Sequence, residues 1–278
     1  MKRSTKIGLG VAAGVVGVGV GAGVWLGRHR SQLEPEVLPS TPARDRCGSL
    51  DVRGEAHGVV YRSYTPAEPG PYPIVLMHGR GGTHDGMFDA LAVIVLPAVQ
   101  IYPQAPTAFG PKSFAWTRAR STDADWPEKQ ADAVWSMRPF IEWVSRCFGP
   151  PVVAGHSQGA HMAFGIAAAY PELVRAAVGV SGALTPALWG ELKVPVVAVH
   201  GVEDSIVPIA NARRMRDELG VTLVEVPGHG HAFSGVLKEQ FESAVDLAGS
   251  AHMKARSSWT MWTDEDIEQA LASAQWSE

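Results

Sequence analysis

The feature that most limits the fold is a series of short apolar runs at residues 74–77, 99–102, 152–154, 176–180, 194–199 and 222–226, with helix-like or loop segments between them. Runs this short and this uniformly apolar are strands buried on both faces, not half-exposed strands with alternating polarity. Strands that alternate with helices give a parallel sheet, because parallel neighbours need a crossover and the crossover covers a face. Ala131, Val134, Trp135, Ile141 and Val144 recur at helical spacing within residues 128–147, with Pro139 expected to kink that helix. His57–Tyr64 has strand composition, and the Pro-Gly-rich stretch after it reads as a turn. The expectation is one α/β domain over residues 47–250.

Composition then removes whole classes. With 19% charged and 46% hydrophobic residues the chain is not disordered. Its formal net charge of −4, with no basic stripe beyond the first thirty residues, argues against a nucleic-acid partner. The 2 cysteines, Cys47 and Cys147, cannot form a disulfide scaffold or a four-cysteine zinc site, although they could pair with each other.

Residues 1–30 stand apart. Lys2, Arg3 and Lys6 precede an uncharged stretch from Ile7 to Gly27, and Arg28, His29 and Arg30 follow it. Roughly 20 apolar residues match the ~30 Å bilayer core, so the segment reads as an uncleaved anchor. A cleaved signal peptide is the other reading, and both place the domain outside the cytoplasm: periplasmic, extracellular or membrane-anchored through residues 7–27. Residues 31–46 are polar and proline-bearing, as in a flexible linker. Residues 251–278 form a C-terminal tail with a helical-looking segment.

The chemistry concentrates where apolar runs end. Gly155-His156-Ser157-Gln158-Gly159 follows one run and opens a small-residue helical stretch. A lone G-x-S-x-G is weak, but on a strand-to-helix reversal the glycines permit a tight turn that exposes the hydroxyl. The reversal also puts the Gln158 amide at a helix N-terminus, where it can face a developing oxyanion. A serine hydroxyl needs a base and a group to orient that base. Asp204 follows the run at 194–199; His229 and His231 follow the run at 222–226. The order Ser, Asp, His is the one this elbow uses. His78-Gly79-Arg80-Gly81-Gly82, after the first run, offers the Arg80 amide as a second oxyanion donor.

With these motifs together, the chain resembles the α/β-hydrolase family over about residues 57–248, within the carboxylesterase, phospholipase and acyl-protein thioesterase branch. The residues that carry the resemblance are His78-Gly79-x-Gly81-Gly82, Pro103-x-Ala105-Pro106, Gly155-x-Ser157-Gln158-Gly159, His200-Gly201-x-x-Asp204-x-x-Val207-Pro208 and Gly228-x-Gly230-His231. Phe233 adds a feature similar to the dienelactone-hydrolase-like branch. Ala160 and Arg80 depart from the pattern and leave the natural acyl group open. The resemblance implies a mostly parallel eight-stranded sheet without a large cap domain. It implies Ser157, Asp204 and His231 as the triad, His231 being preferred to His229 by its glycine spacing. It further implies hydrolysis of small-molecule esters or thioesters through an acyl-enzyme, without metal or other cofactor. Acyl transfer to an alcohol, or a non-catalytic binding protein on the same fold, are the alternatives.

Further expectations follow. Residues 181–193 are too few for a cap domain, and residues 105–127 lack the period of a lid helix, so the site is expected to be open to short or medium acyl groups. Trp116 and Trp189 are expected to line an acyl pocket, and Trp135 and Trp143 to lie in the core. His78, His156 and His200 are expected to support the loops they begin. Arg80 is expected at the site's mouth with a solvated side chain.

Overall fold

The computed structural model describes residues 50, 52–91, 98–120 and 123–255. The signal or anchor segment, the linker and the tail beyond residue 255 lie outside the described residues, as does Cys47. Among the described residues no helix is long and apolar enough to cross a membrane.

The strands are β1 (Arg53–Ala56), β2 (Val59–Tyr64), β3 (Ile74–Met77), β4 (Gln100–Pro103), β5 (Thr107–Gly110), β6 (Ser113–Ala115), β7 (Val152–His156), β8 (Ala176–Val180), β9 (Val196–Gly201) and β10 (Thr222–Val226). The helices are α1 (His84–Leu91), α2 (Trp126–Ser136), α3 (Arg138–Phe148), α4 (Gln158–Ala169), α5 (Ile209–Leu219) and α6 (Val236–Ala255). An eight-stranded sheet runs β1-β2-β4-β3-β7-β8-β9-β10; β5 and β6 form a separate hairpin. From β4 to β10 every pairing is parallel, whereas β1 and β2 are antiparallel additions at one edge. The chain leaves β3 towards β4 and returns through α2 and α3 to β7, on β3's other side. The carboxyl ends of β3 and β7 therefore flank a topological switch point, where open α/β sheets form their crevices.

The apolar runs pack as their pattern requires. Ile74, Leu76, Val152, Ala154, Ala176, Val178, Val197 and Val199 meet Leu237, Phe241, Ala244 and Val245 of α6 on one face. Helix α4 packs against β7 and β8, and α2 packs on α4, covering the other face. Covering both faces is what allows each strand to be apolar throughout.

The structure departs from the sequence reading at several boundaries. Residues 57–64 are not one strand, because His57 and Gly58 turn at φ 51° and 77° and pair β1 with β2. Such a two-residue loop with both φ positive matches the twist of a hairpin. The helix expected over 128–147 is two helices parted at Met137. Pro139 sits in the first turn of α3, where its missing N–H costs nothing, and it cannot continue α2. Residues 105–127 hold the β5–β6 hairpin, which no strong pattern announced. Helix α6 runs across the expected boundary at residue 250. Trp135 and Trp143 are half-buried, not in the core proper. Between β8 and β9 there is only the single 3-10 turn Pro186–Leu188, and no cap domain is inserted there.

Candidate active site

Strand β7 delivers Ser157 to the sheet's carboxyl edge on a reversal with φ 53° and ψ −117°, a conformation an L-residue adopts only under strain. The flanking glycines are sterically required. A Cβ on Gly155 would lie 2.5 Å from the Gly159 carbonyl carbon, and one on Gly159 would lie 2.0 Å from the Met77 carbonyl oxygen. Helix α4 can thus start against the end of β3, with Ser157 half-buried at its start.

The three residues expected to act together do meet. His231 Nε2 is 2.9 Å from Ser157 Oγ, and His231 Nδ1 is 2.8 Å from Asp204 Oδ2. Donation from Nδ1 to the carboxylate leaves Nε2 to accept the serine hydroxyl. Asp204 Oδ1 accepts the amides of Ile206 and Val207, each at 2.9 Å. Burial pushes the Asp204 carboxyl up, but these amides and His231 outweigh it and hold it below the usual carboxylate range. His229 lies elsewhere, its Nδ1 2.9 Å from the Pro227 carbonyl oxygen.

The loop that carries His231 is fixed from below. Gly201 has no side chain where a Cβ would lie 2.3 Å from the His229 oxygen, and the Glu203 amide donates to that same oxygen at 3.0 Å. His156, the variable residue of the elbow, donates from Nε2 to the His231 carbonyl at 2.8 Å and stacks on Phe233. His200 donates to the Val207 carbonyl at 2.7 Å and steadies the Asp204 loop. His78 accepts the Ala105 amide at Nε2, 3.1 Å away. His200 supports the loop it begins, as expected, and so does His78 through the Gly79 carbonyl at 2.8 Å, whereas His156 supports the loop of His231 and not its own. Among the described residues no group of three or more His, Cys, Asp or Glu could hold a metal ion.

These histidines, together with His161 of α4, whose Nδ1 accepts the Ala183 amide at 3.1 Å, predict an acid-sensitive fold. Burial lowers His78, His156 and His161 from the ordinary 6.5 to about 4. The unfolded chain therefore takes up protons first, and stability present above about pH 6.5 is lost as pH falls towards 4. The loss is on the order of 2–3 kcal/mol per histidine by pH 4. Asp204, held low, stays ionised over most of that window. The urea midpoint should drop clearly between pH 7 and pH 5; equal midpoints would contradict this account.

The loop after β3 makes a turn from Gly79 to Gly82. Gly81 sits at φ 79° and donates to Phe114, and the Gly82 amide donates to Gly79, which leaves the Arg80 amide without a partner among the described residues. A Cβ on Gly79 would lie 3.3 Å from the Ser157 Cβ, so the turn passes directly beside the serine. The Gln158 amide, in the first turn of α4, has no acceptor within its own helix. One expectation about side chains changes. Arg80 is half-buried and not simply solvated: its guanidinium donates to the Arg118 carbonyl at 3.1 Å and to that of Ala119. Trp116 is 3% exposed, its indole donates to the His78 carbonyl at 2.8 Å, and it lines a cleft together with Thr117 and Lys129. Trp189 is half-buried beneath Arg214.

The sequence pattern of the family described as Phospholipase/Carboxylesterase matches residues 64–242. No curated protein matches the chain. Among solved structures it is similar to acyl-protein thioesterase 2 of Zea mays, with TM-score 0.56 and 19% identity, covering 68% of this chain and 98% of that one. It is also similar to the Bacillus cereus carboxylesterase, with TM-score 0.59 and 16% identity over 68% and 94%. Acetyl xylan esterase from Aspergillus awamori gives 0.54 and 16% over 74% and 100%. At these identities the likeness is one of fold.

Proposed function

The chain belongs to the phospholipase/carboxylesterase family, on the α/β-hydrolase fold, and from that premise we propose that it hydrolyses carboxylic esters or thioesters of short to medium acyl length through an acyl-enzyme on Ser157. The observation that carries the reading is the unbroken chain from Ser157 Oγ through His231 to Asp204, at 2.9 and 2.8 Å. In this mechanism His231 Nε2 takes the hydroxyl proton as Ser157 Oγ bonds to the substrate carbonyl carbon. The Arg80 and Gln158 amides receive the oxyanion. Collapse of the tetrahedral adduct breaks the bond to the alcohol or thiol, which leaves with the proton from His231. Water then gives a proton to His231, attacks the acyl carbon, and releases the acid as the proton returns to Ser157. Asp204 remains a carboxylate and holds the imidazole tautomer. No step calls on a metal.

The absence of a cap between β8 and β9 supports soluble short-chain substrates. We further propose that the protein lies outside the cytoplasm, exported or anchored through residues 7–27, on the strength of the uncharged stretch from Ile7 to Gly27 behind Lys2, Arg3 and Lys6. Cys147 is disulfide-bonded, which suits an oxidising compartment. The test is fluorophosphonate labelling together with turnover of p-nitrophenyl esters of graded chain length. Label on Ser157 and smooth saturation on short esters are expected. Neither label nor turnover would leave only a binding protein, and acyl transfer to an added alcohol in preference to water would make it a transferase.

A further inference from the structure

The two residues assigned to the oxyanion hole share a second property: their side chains grip the same short segment of chain. Gln158 accepts the Trp116 amide at Oε1, 2.8 Å away, and donates from Nε2 to the Thr117 carbonyl at 2.9 Å. Arg80 donates from Nη2 to the carbonyls of Arg118 and Ala119. The Gly79–Gly82 turn is tied to this segment's beginning as well, since Gly81 donates to Phe114 at 2.8 Å and Phe114 donates to Gly82 at 3.1 Å. We propose that residues 114–119 act as a strap that fixes the distance between the Arg80 and Gln158 amides, and that the Arg80 guanidinium is a positioning residue for the oxyanion hole. This inference rests on the hydrolase reading above.

On its other side the strap borders open space. An open cleft of ≈ 570 Å³ separates it from α2, with Thr117 and Arg118 on one wall and Lys129 and Asp132 on the other. Helix α2 therefore does not press it against the site. The strap's central residues are held from the catalytic side by the Gln158 amide group and by the Trp116 indole on the His78 carbonyl, and its far end by Arg80 and by Arg118, which donates to the Ala108 carbonyl at 2.7 Å. Loss of the Arg80 guanidinium leaves that end tied only to β5, through Arg118 and the Ala108 carbonyl, and the Gly79–Gly82 turn loses its connection to it. An oxyanion donor acts only when its hydrogen is aimed at the place the oxygen will occupy, so a displaced amide loses transition-state binding without losing substrate. The donor in question is a backbone amide, which every substitution at position 80 keeps. Side-chain variants there change only its placement.

The experiment compares Arg80→Met with Arg80→Lys, each counted per active serine by fluorophosphonate titration, so that a misfolded fraction does not contribute. A single nitrogen serves both carbonyls, so the lysine ammonium can replace it where methionine cannot. For Arg80→Met, kcat should fall about 10- to 100-fold while KM stays within about threefold. Binding of a trifluoromethyl ketone, which forms a tetrahedral oxyanion on serine, should weaken by the same factor. Arg80→Lys should recover most of both. Amide exchange in peptides covering residues 114–119 should quicken in Arg80→Met, with β7 and β8 unchanged. An Arg80→Met enzyme with wild-type kcat, beside an inactive Ser157→Ala, would overturn the strap and leave the hydrolase reading standing. If the wild type turns over no ester, the hydrolase reading fails instead, and unchanged exchange at 114–119 would then overturn the strap by itself.

Discussion

Replacing Ser157 with alanine should lower kcat on p-nitrophenyl acetate by about 10⁶-fold, the scale found when an activated serine nucleophile is deleted. The oxygen removed is the one 2.9 Å from His231 Nε2, and no other described hydroxyl contacts that nitrogen. The fold should not notice. Alanine keeps the Cβ, so the strain at φ 53° is the same in both proteins, and the Ser157 amide still donates to the Val180 carbonyl at 2.8 Å. Circular dichroism and the melting temperature are therefore expected to match the wild type. Turnover surviving within a hundredfold would mean that another group attacks the ester and that the assignment of Ser157 is mistaken.

Asp204→Asn should cost about 10⁴-fold in kcat, because the change fixes the wrong histidine tautomer. The reason is local. Asp204 Oδ1 accepts the amides of Ile206 and Val207, so only an oxygen can occupy that position. Asparagine must then turn its NH₂ towards His231 Nδ1, which is forced to accept. The ring proton moves to Nε2, and Nε2 can no longer take the proton of Ser157. Size and packing stay almost constant, so KM and stability should change little while kcat collapses. Retention of more than a tenth of wild-type kcat would show that the carboxylate neither sets the tautomer nor stabilises the imidazolium.

Much of this site was legible in the sequence because backbone geometry there depends on residue type. Gly155 and Gly159 are the only residues that fit where Met77 and α4 approach so closely. Ser157, Asp204 and His231 each follow an apolar run, and a parallel sheet sends the ends of such runs to one edge. The buried strands were equally plain, since their side chains are apolar on both faces. Element limits were less so: the split at Met137 and the β5–β6 hairpin rest on local turn geometry that competing patterns obscure.

What the sequence determined by itself was the fold class, the elbow and the three residues that converge at it, because each depends on side-chain volume, polarity or order along the chain. Only the tertiary structure decided how those residues are held. His156 supports the His231 loop through a carbonyl oxygen, and Gln158 and Arg80 bind the carbonyls of residues 117–119. A carbonyl oxygen is the same on every residue, so the positions that accept these bonds carry no mark in the sequence. Their partners come into reach only once the sheet has brought distant segments together.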